Sequence, residues 1–175
     1  MDEIEIAEHN PDWPAAFQRE RERILSALAD FPIIDIVHFG STAIKGMPAK
    51  PIIDMLFIVP DLNSAKAALP AKLDRLGYDY WADNPKTDRL FFVRGMPPRG
   101  EKRTHHIHVS EPGSDLHGRL AFVDYLYTHP EEAEAYARLK RKLAETYGND
   151  REAYTQAKSD FIDRVMMIAR PDKPQ

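Results

Sequence analysis

The stretch HFGSTAIKGMPAKPIID, residues 38–54, carries most of the information about the fold. An apolar run at Ile33–Phe39 predicts a strand that ends at the Gly-Ser turn. Pro51–Val59 predicts a second strand, apolar on both sides as in a covered sheet. Between them, Gly40–Lys50 contains two glycines and one proline and is predicted to be a loop.

The Gly-Ser-Thr turn after the first strand is typical of an anion-binding loop. Such a turn leaves backbone N–H groups unpaired, and together with two hydroxyl groups they can hold a phosphate. Gly40, Ser41 and Thr42 are therefore candidate phosphate-binding residues.

Asp54 lies in the middle of the second, apolar strand. Strand alternation places it on one face with Ile52 and Leu56. A carboxylate in such surroundings is costly unless it is paired or bound to a cation. The residues alone leave two interpretations: Asp54 belongs to a functional site, or it caps a loop or pairs with Lys50.

The spacing from Gly-Ser to Asp54 resembles the signature of the polymerase-β-like nucleotidyltransferase superfamily. More narrowly, residues 38–54 are similar to the GrpB family of small bacterial proteins. Further similarity to GrpB covers four short segments: residues 103–109, 122–126, 129–130 and 158–162.

The resemblance implies a nucleotidyltransferase-type fold in which Gly40 and Ser41 hold a nucleotide phosphate and Asp54 is a catalytic ligand of a divalent metal ion. GrpB-like domains also occur fused to dephospho-coenzyme A kinase, which implies a link to nucleotide or coenzyme A chemistry. One departure is Leu56, which stands where the superfamily has a second carboxylate. Two carboxylates on one face hold a pair of Mg²⁺ ions ~3.5–4 Å apart, so this change argues against a standard two-metal transfer.

Two histidines are candidates to replace the missing acids. His106 and His108 point the same way on a predicted strand, Arg103–Val109, opposite the apolar Ile107. Together with Asp54 they would form a two-histidine, one-carboxylate site, which suits Zn²⁺, Mn²⁺ or Fe²⁺ better than Mg²⁺. The alternatives are a hydrogen-bonding role near a phosphate and a solvated strand face.

Charge is distributed unevenly along the chain. The net charge is −4, yet residues 86–108 contain six basic residues and two acidic ones. A local positive charge in an acidic protein favours a small anionic, nucleotide-like ligand over general nucleic-acid binding. Lys50 and Arg103 each precede a strand of the candidate site, so both are candidates to neutralise a triphosphate.

Composition limits the class of protein. The chain has 175 residues and no cysteine, which excludes disulfides, thiolate metal sites and a cysteine nucleophile. Its acidic start and its lack of a long apolar run predict neither a signal peptide nor a membrane span. We therefore expect a cytoplasmic protein that does not bind membranes; the sequence does not indicate its oligomeric state.

The order of predicted elements indicates one α+β domain, residues 1–169, followed by a flexible tail at 170–175. A small mixed sheet is flanked by helices, with a further strand at Leu90–Val93 and an all-helical C-terminal third. That third is predicted to hold one helix over Leu116–Thr128, a second after Pro130, and a third after Gly148.

Two classes of function follow from these expectations, and the sequence leaves open whether the protein is an active enzyme. The first is a metal-dependent nucleotidyltransferase acting on a nucleoside triphosphate or a nucleotide-containing metabolite. The second is a catalytically silent nucleotide-binding or accessory module, which the loss of the second acid at Leu56 favours. A metal-dependent phosphoesterase built on the same pocket is a weaker third.

Overall fold

The computed structural model describes residues 5–148 and 150–170 of the chain. These residues form two compact units. The sheet unit consists of Asp12–Gly40 and Ile52–Gly118, and the helical unit takes its described residues from 5–11, 41–51 and 119–170. The expected α+β class with a mixed sheet is confirmed.

The sheet unit is built on five strands in the order β1-β2-β5-β4-β3. The β2–β5 pair is parallel and the other three pairs are antiparallel. The strands are β1 Asp35–Phe39, β2 Ile53–Ile58, β3 Tyr78–Tyr80, β4 Leu90–Arg94 and β5 His105–Ser110, and the helices are α1 Trp13–Ala27, α2 Leu62–Asp74 and α3 Asp115–Gly118.

Strand β2 lies between β1 and β5, which explains its apolar composition. Met55, Leu56 and Phe57 are fully buried, whereas Asp54 is half-buried. A strand covered on both faces excludes polar side chains unless they find partners. Asp54 is therefore the residue of this strand whose position needs a specific explanation.

Strand β3 was not predicted from the sequence. It is three residues long, follows the positive-φ Gly77 and pairs at the sheet edge with β4. A run of three residues is too short to show a strand periodicity, so its pairing is decided by β4.

The helical unit contains a short 3₁₀ helix, Ser41–Ala43, and four α-helices: α4 Leu120–Thr128, α5 Pro130–Tyr147, α6 Arg151–Ala157 and α7 Ser159–Ala169. Its core contains Ile44 and Met47 from the loop after Gly40, packed with Phe122, Tyr136 and Val165. The loop that carries the Gly-Ser-Thr motif thus supplies apolar contacts to this unit.

Two of the predicted C-terminal helices are each divided in the structure, which corrects the prediction. The segment expected as one helix over Leu116–Thr128 forms α3 and α4 with Arg119 between them. The segment after Gly148 forms α6 and α7, because the Lys158 N–H bonds to the Thr155 carbonyl and so interrupts the α-helical ladder. Helical periodicity continues through both breaks, so it cannot reveal them.

The predicted tail, 170–175, lies outside the described residues except for Arg170. The assignment of the chain to one folding domain stays a prediction. Within residues 5–148 and 150–170, none of the helices is both long enough and apolar enough to cross a bilayer.

A buried carboxylate ties α1 to the far edge of the sheet. Glu20 is 6% exposed, and its oxygens accept hydrogen bonds from Tyr78 Oη at 2.9 Å, from Arg94 Nη1 at 2.9 Å and from Arg23 Nε at 3.0 Å. Burial by itself would raise the pKa of Glu20, and these partners outweigh it and lower the pKa. Glu20 is thus ionised and saturated with donors.

Lys140 is a buried cation in the helical unit. Its side chain is 1% exposed, and its Nζ donates a hydrogen bond to the Pro48 carbonyl. Burial lowers the pKa of Lys140 to about 7, and the nearby charges of Lys158, Arg141 and Lys50 act in the same direction.

We predict that Glu20→Ala lowers the free energy of unfolding by about 2–3 kcal/mol, because a tyrosine hydroxyl and two guanidinium groups lose a common acceptor. Urea unfolding at neutral pH measures this change. Glu22→Ala, at an exposed position of the same helix, is the matched control and should change stability by less than about 0.5 kcal/mol. Equal losses in the two variants would contradict the role given to Glu20.

Lys140 should make stability depend on pH. Between the folded pKa of about 7 and the ordinary value of 10.5, the unfolded chain binds a proton at Lys140 that the folded chain has released. The contribution of Lys140 to the free energy of unfolding therefore rises with pH between about 7 and 10.5. Urea unfolding at about pH 7 and pH 9 should show the wild type gaining stability relative to Lys140→Met. If the free energy of unfolding changes equally with pH in the two proteins, the pKa of Lys140 is not lowered by folding.

Candidate functional site

Asp54, His106 and His108 meet on one face of the sheet unit. Parallel pairing places the Asp54 Cα opposite that of His106 and the Leu56 Cα opposite that of His108. His106 Nδ1 lies 2.9 Å from Asp54 Oδ1, and His108 Nε2 lies 3.7 Å from the same oxygen. One potential ligand atom from each of the three residues lies within 4.8 Å of the others.

The protonation states of Asp54 and His106 follow from their burial and from the charged and hydrogen-bonding groups beside them. Burial by itself would raise the pKa of Asp54, but hydrogen bonds and charge interactions with His106 and His108 outweigh it and hold the pKa well below its usual range. Burial, together with the charges of His108 and Arg103, lowers the pKa of His106, although Asp54 acts in the opposite direction. At neutral pH the pair is therefore a carboxylate and a neutral imidazole, which is the form of each that binds a metal.

His106 also has a polar atom without a partner. Because the Asp54 carboxylate accepts, His106 Nδ1 donates, and the lone pair of the neutral ring is on Nε2. That atom is buried and has no hydrogen-bond partner among the residues that the structure describes. Buried polar atoms without partners are uncommon in folded proteins, and a free imidazole lone pair beside a carboxylate suits a cation.

The three residues fit one divalent cation in chemistry and in spacing. Two imidazoles and a carboxylate are a donor set for Zn²⁺, Mn²⁺ or Fe²⁺. Ligand atoms about 2.1 Å from one ion are at most about 4.2 Å apart, and the three residues offer one atom each within 4.8 Å of one another. A cation held by all three would replace the hydrogen bond between His106 and Asp54.

Aromatic rings from the neighbouring strands hold the two imidazoles. The Phe91 ring centroid lies 5.0 Å from that of His106 and 4.8 Å from that of His108. Phe39 approaches His108 edge-on at 5.7 Å. His38 instead stacks on Phe17 at 4.7 Å, and burial lowers its pKa to about 4, so it packs as a neutral ring.

Gly40 ends β1 beside Asp54. Its φ is +70°, and a Cβ placed there would lie 2.7 Å from Asp54 Oδ2. Only glycine combines that backbone conformation with that approach. The glycine predicted to hold phosphate is thus the residue that lets the turn pass close to the carboxylate.

The other predicted phosphate ligands are divided between the two units. Ser41 and Thr42 begin the 3₁₀ helix of the helical unit, where Thr42 is 2% exposed and Ser41 hydrogen-bonds with Tyr136. Lys50 lies in the same unit, with Nζ 4.8 Å from the Tyr154 ring centre. In the sheet unit, the Arg103 guanidinium lies 5.0 Å from the Trp81 ring centre.

Within the sheet unit, Asp54 is hydrogen-bonded to His106. Sequence reasoning did not identify Phe91 as a neighbour of the site, although strand alternation places it on the face opposite Leu90 and Phe92. It also did not identify the burial of Lys140, because a lysine on a helix carries no sign of burial in its spacing.

Leu56 occupies the position at which the superfamily has its second carboxylate, and it is fully buried on the face that carries Asp54. The residue beside it in register is His108. The group of three potential ligands therefore comes from two strands, with one acid from β2 and two imidazoles from β5.

Comparison with known proteins assigns the family. The sequence profile described as GrpB protein matches residues 3–167. A UPF0157 protein of Pseudomonas aeruginosa is 46% identical over 94% of this chain and 67% of its own length. The glutamate-rich protein GrpB of Alkalihalophilus pseudofirmus is 33% identical over 94% of each chain. The chain spans 45% of the length of a third relative, the UPF0157 protein YqkA of Bacillus subtilis, which is 38% identical.

Solved structures show the same relationship. The crystal structure of the conserved protein GrpB from Enterococcus faecalis matches with a TM-score of 0.82 at 30% identity, covering 94% of this chain and 96% of that one. Cid1 in complex with its product ApU matches with a TM-score of 0.55 at 8% identity, covering 87% of this chain and 48% of Cid1. The second likeness concerns the fold alone. This chain therefore belongs to the GrpB family and has a nucleotidyltransferase-type fold.

Proposed function

We propose that this protein is a metal-dependent, nucleotidyltransferase-like protein that binds a nucleoside triphosphate or a nucleotide-containing metabolite. The observation that carries the proposal is the convergence of Asp54, His106 and His108 within 4.8 Å beside the Gly40 turn. Support for a nucleotide comes from the fold, since Cid1 is described as a poly(U) polymerase with selectivity for UTP and as bound to MgATP.

Each residue has a chemical role in this proposal. Asp54, His106 and His108 would hold a divalent cation, which as a Lewis acid would offset the charge of a bound phosphate. Gly40, predicted to hold a phosphate through its backbone, brings the turn close to the Asp54 carboxylate, and Arg103 supplies positive charge from the segment before β5. Ser41, Thr42 and Lys50 keep the phosphate-binding role predicted for them from the sequence.

A second candidate function is a nucleotide-binding module without catalysis. Leu56 favours it, because a fully buried leucine leaves this face with one carboxylate from β2. Two-metal transfer needs acids for both ions. A single cation would still bind phosphate without promoting the transfer of a nucleotidyl group.

We expect Mn²⁺ or Zn²⁺ to bind the wild-type protein and Asp54→Asn to weaken that binding by at least about 100-fold, because the isosteric amide removes the charged ligand. Isothermal titration calorimetry on protein stripped with EDTA measures the dissociation constants. Asp83→Asn removes an exposed carboxylate of the same unit and should bind metal like the wild type. Equal affinity in Asp54→Asn and the wild type would exclude the site.

Thermal shifts in the presence of metal then test the nucleotide. ATP, UTP and dephospho-coenzyme A are compared, and a ligand at a hundred times its dissociation constant should add about 2.7 kcal/mol. For a chain of this length that corresponds to a rise in Tm of roughly 5–11 °C. A nucleoside triphosphate that gives this rise is then incubated as its α-³²P-labelled form with a mixture of small metabolites as acceptors. Label joined to an acceptor with release of pyrophosphate indicates a transferase, hydrolysis to the labelled nucleoside monophosphate indicates a phosphoesterase, and binding without either indicates the silent module. No Tm rise with any nucleotide would overturn both nucleotide functions.

Gly40→Ala should weaken metal binding as well as stability. The added Cβ meets Asp54 Oδ2 at 2.7 Å, so the carboxylate must move away from the imidazoles. Gly113→Ala is the matched control, because Gly113 has a similar φ of +76° and nothing within 4 Å of an added Cβ. Both variants should lose about 1–2 kcal/mol through backbone strain, but only Gly40→Ala should lose metal affinity. Unchanged metal affinity in Gly40→Ala would show that Asp54 does not depend on the turn.

A further inference from the structure

A row of rings crosses one face of the sheet unit, from its edge to Asp54. Trp81 follows β3 directly, and its backbone N–H bonds to the Phe91 carbonyl at 2.9 Å. The Trp81 ring stacks beside the Phe91 ring, with centroids 5.7 Å apart and planes 28° apart. The Phe91 centroid lies 5.0 Å from that of His106, which is hydrogen-bonded to Asp54. The row therefore connects the sheet edge with the three potential metal ligands.

Trp81 is the exposed member of this row. Its exposed fraction is 43%, and no other aromatic side chain in the described part of the sheet unit is exposed to that degree. A single exposed apolar residue is common on protein surfaces. Trp81 differs because it continues a set of rings that leads to a buried carboxylate. Its ring offers a flat apolar surface beside the candidate metal site.

Arg103 adds a positive charge to that surface. Its guanidinium lies 5.0 Å from the centre of the Trp81 ring. Burial lowers the pKa of His106, and the charge of Arg103 acts on it in the same direction, so Arg103 is close to the ring and to the site. Aromatic rings and arginine together are the surface on which proteins stack unpaired nucleobases.

We propose that the exposed part of the Trp81 ring is the base-binding surface of this site, on which a nucleobase stacks while the phosphates of the same nucleotide lie toward Asp54. The inference rests on the proposed function and names the part of the ligand that the sheet edge recognises. A nucleotide carries its base and its phosphates on different sides of the ribose. Phe91 alone separates the Trp81 ring from the His106 ring, so one nucleotide is long enough to reach both ends of the row.

Stacking on an indole distinguishes poorly between bases, because every base has a flat aromatic face. We therefore expect ATP and UTP to bind with similar affinity. Both should bind more tightly than inorganic tripolyphosphate, which offers phosphates without a base. This comparison separates recognition of the base from recognition of the phosphates.

Isothermal titration calorimetry with saturating Mn²⁺ compares ATP with tripolyphosphate in the wild type, Trp81→Ala and Trp81→Phe. We expect Trp81→Ala to bind ATP about tenfold or more weakly and tripolyphosphate like the wild type, because alanine removes the stacking surface and no charge. Trp81→Phe keeps an aromatic ring and should recover part of the ATP affinity. Tyr127→Ala removes a ring that is 62% exposed in the helical unit, and this matched control should bind both ligands like the wild type.

Tryptophan fluorescence observes the ring itself. The chain has two tryptophans, and Trp13 is 6% exposed, so Trp81 is the one that a ligand in solution can contact. Saturating ATP should quench the emission of the wild type but not that of Trp81→Phe, and tripolyphosphate should quench neither. Zn²⁺ replaces Mn²⁺ in this titration, because its filled d shell avoids paramagnetic quenching.

Circular dichroism and urea unfolding establish that each variant is folded; if Trp81→Ala is not, Trp81→Phe and the quenching titration decide. Equal affinity of the wild type for ATP and tripolyphosphate, or wild-type ATP affinity in Trp81→Ala, would overturn the base-binding role and leave the phosphate and metal site standing. An equal loss of both ligands in Trp81→Ala would indicate a structural role and also overturn it. If neither ligand binds the wild type, the proposed function fails together with this inference.

Discussion

The ionised carboxylate of Asp54 must be compensated inside an otherwise apolar strand, and the centre of the sheet is arranged around that requirement. The compensation comes from β5, which runs parallel to β2 with His106 opposite Asp54. A slip of one residue in this register would place Ile107 or His105 opposite Asp54 and turn His106 and His108 to the other face. The burial of Ile107 on the other face opposes the same slip. Polar pairing and apolar burial thus select one register together.

The same carboxylate constrains the turn that follows β1. Gly40 passes so close to Asp54 that a methyl group has no room, and its positive φ is a conformation that favours glycine. Phe91 and Phe39 hold the imidazole rings from the adjacent strands. Because Asp54, His106 and His108 stand on paired strands and not on loops, their arrangement is fixed by the sheet, which would lower the entropy lost if they bound a ligand.

Glu20 and Lys140 are both buried ionisable side chains, but their surroundings differ. Glu20 has donors enough to satisfy both of its oxygens, and it joins α1 to β3 and β4. Lys140 has a carbonyl as its acceptor and cations as its charged neighbours. The first arrangement stabilises the folded state by itself. The second lowers the pKa of a lysine to about 7, because burial and the neighbouring charges both disfavour its charged form.

The sequence by itself determined the family, the α+β class, four of the five strands and the faces of Asp54, His106 and His108. It could do so because strand alternation and glycine conformation are local properties, readable from neighbours along the chain. Tertiary structure decided the rest. Strand β3 exists because β4 offers it an edge, and α6 and α7 separate at a hydrogen bond that periodicity does not report. Lys140 looks like any helical lysine in the sequence, and it becomes a buried cation because the segment at Pro48 packs against it from 92 residues away. Burial and charge surroundings are properties of segments distant in the chain, and only folding brings those segments together.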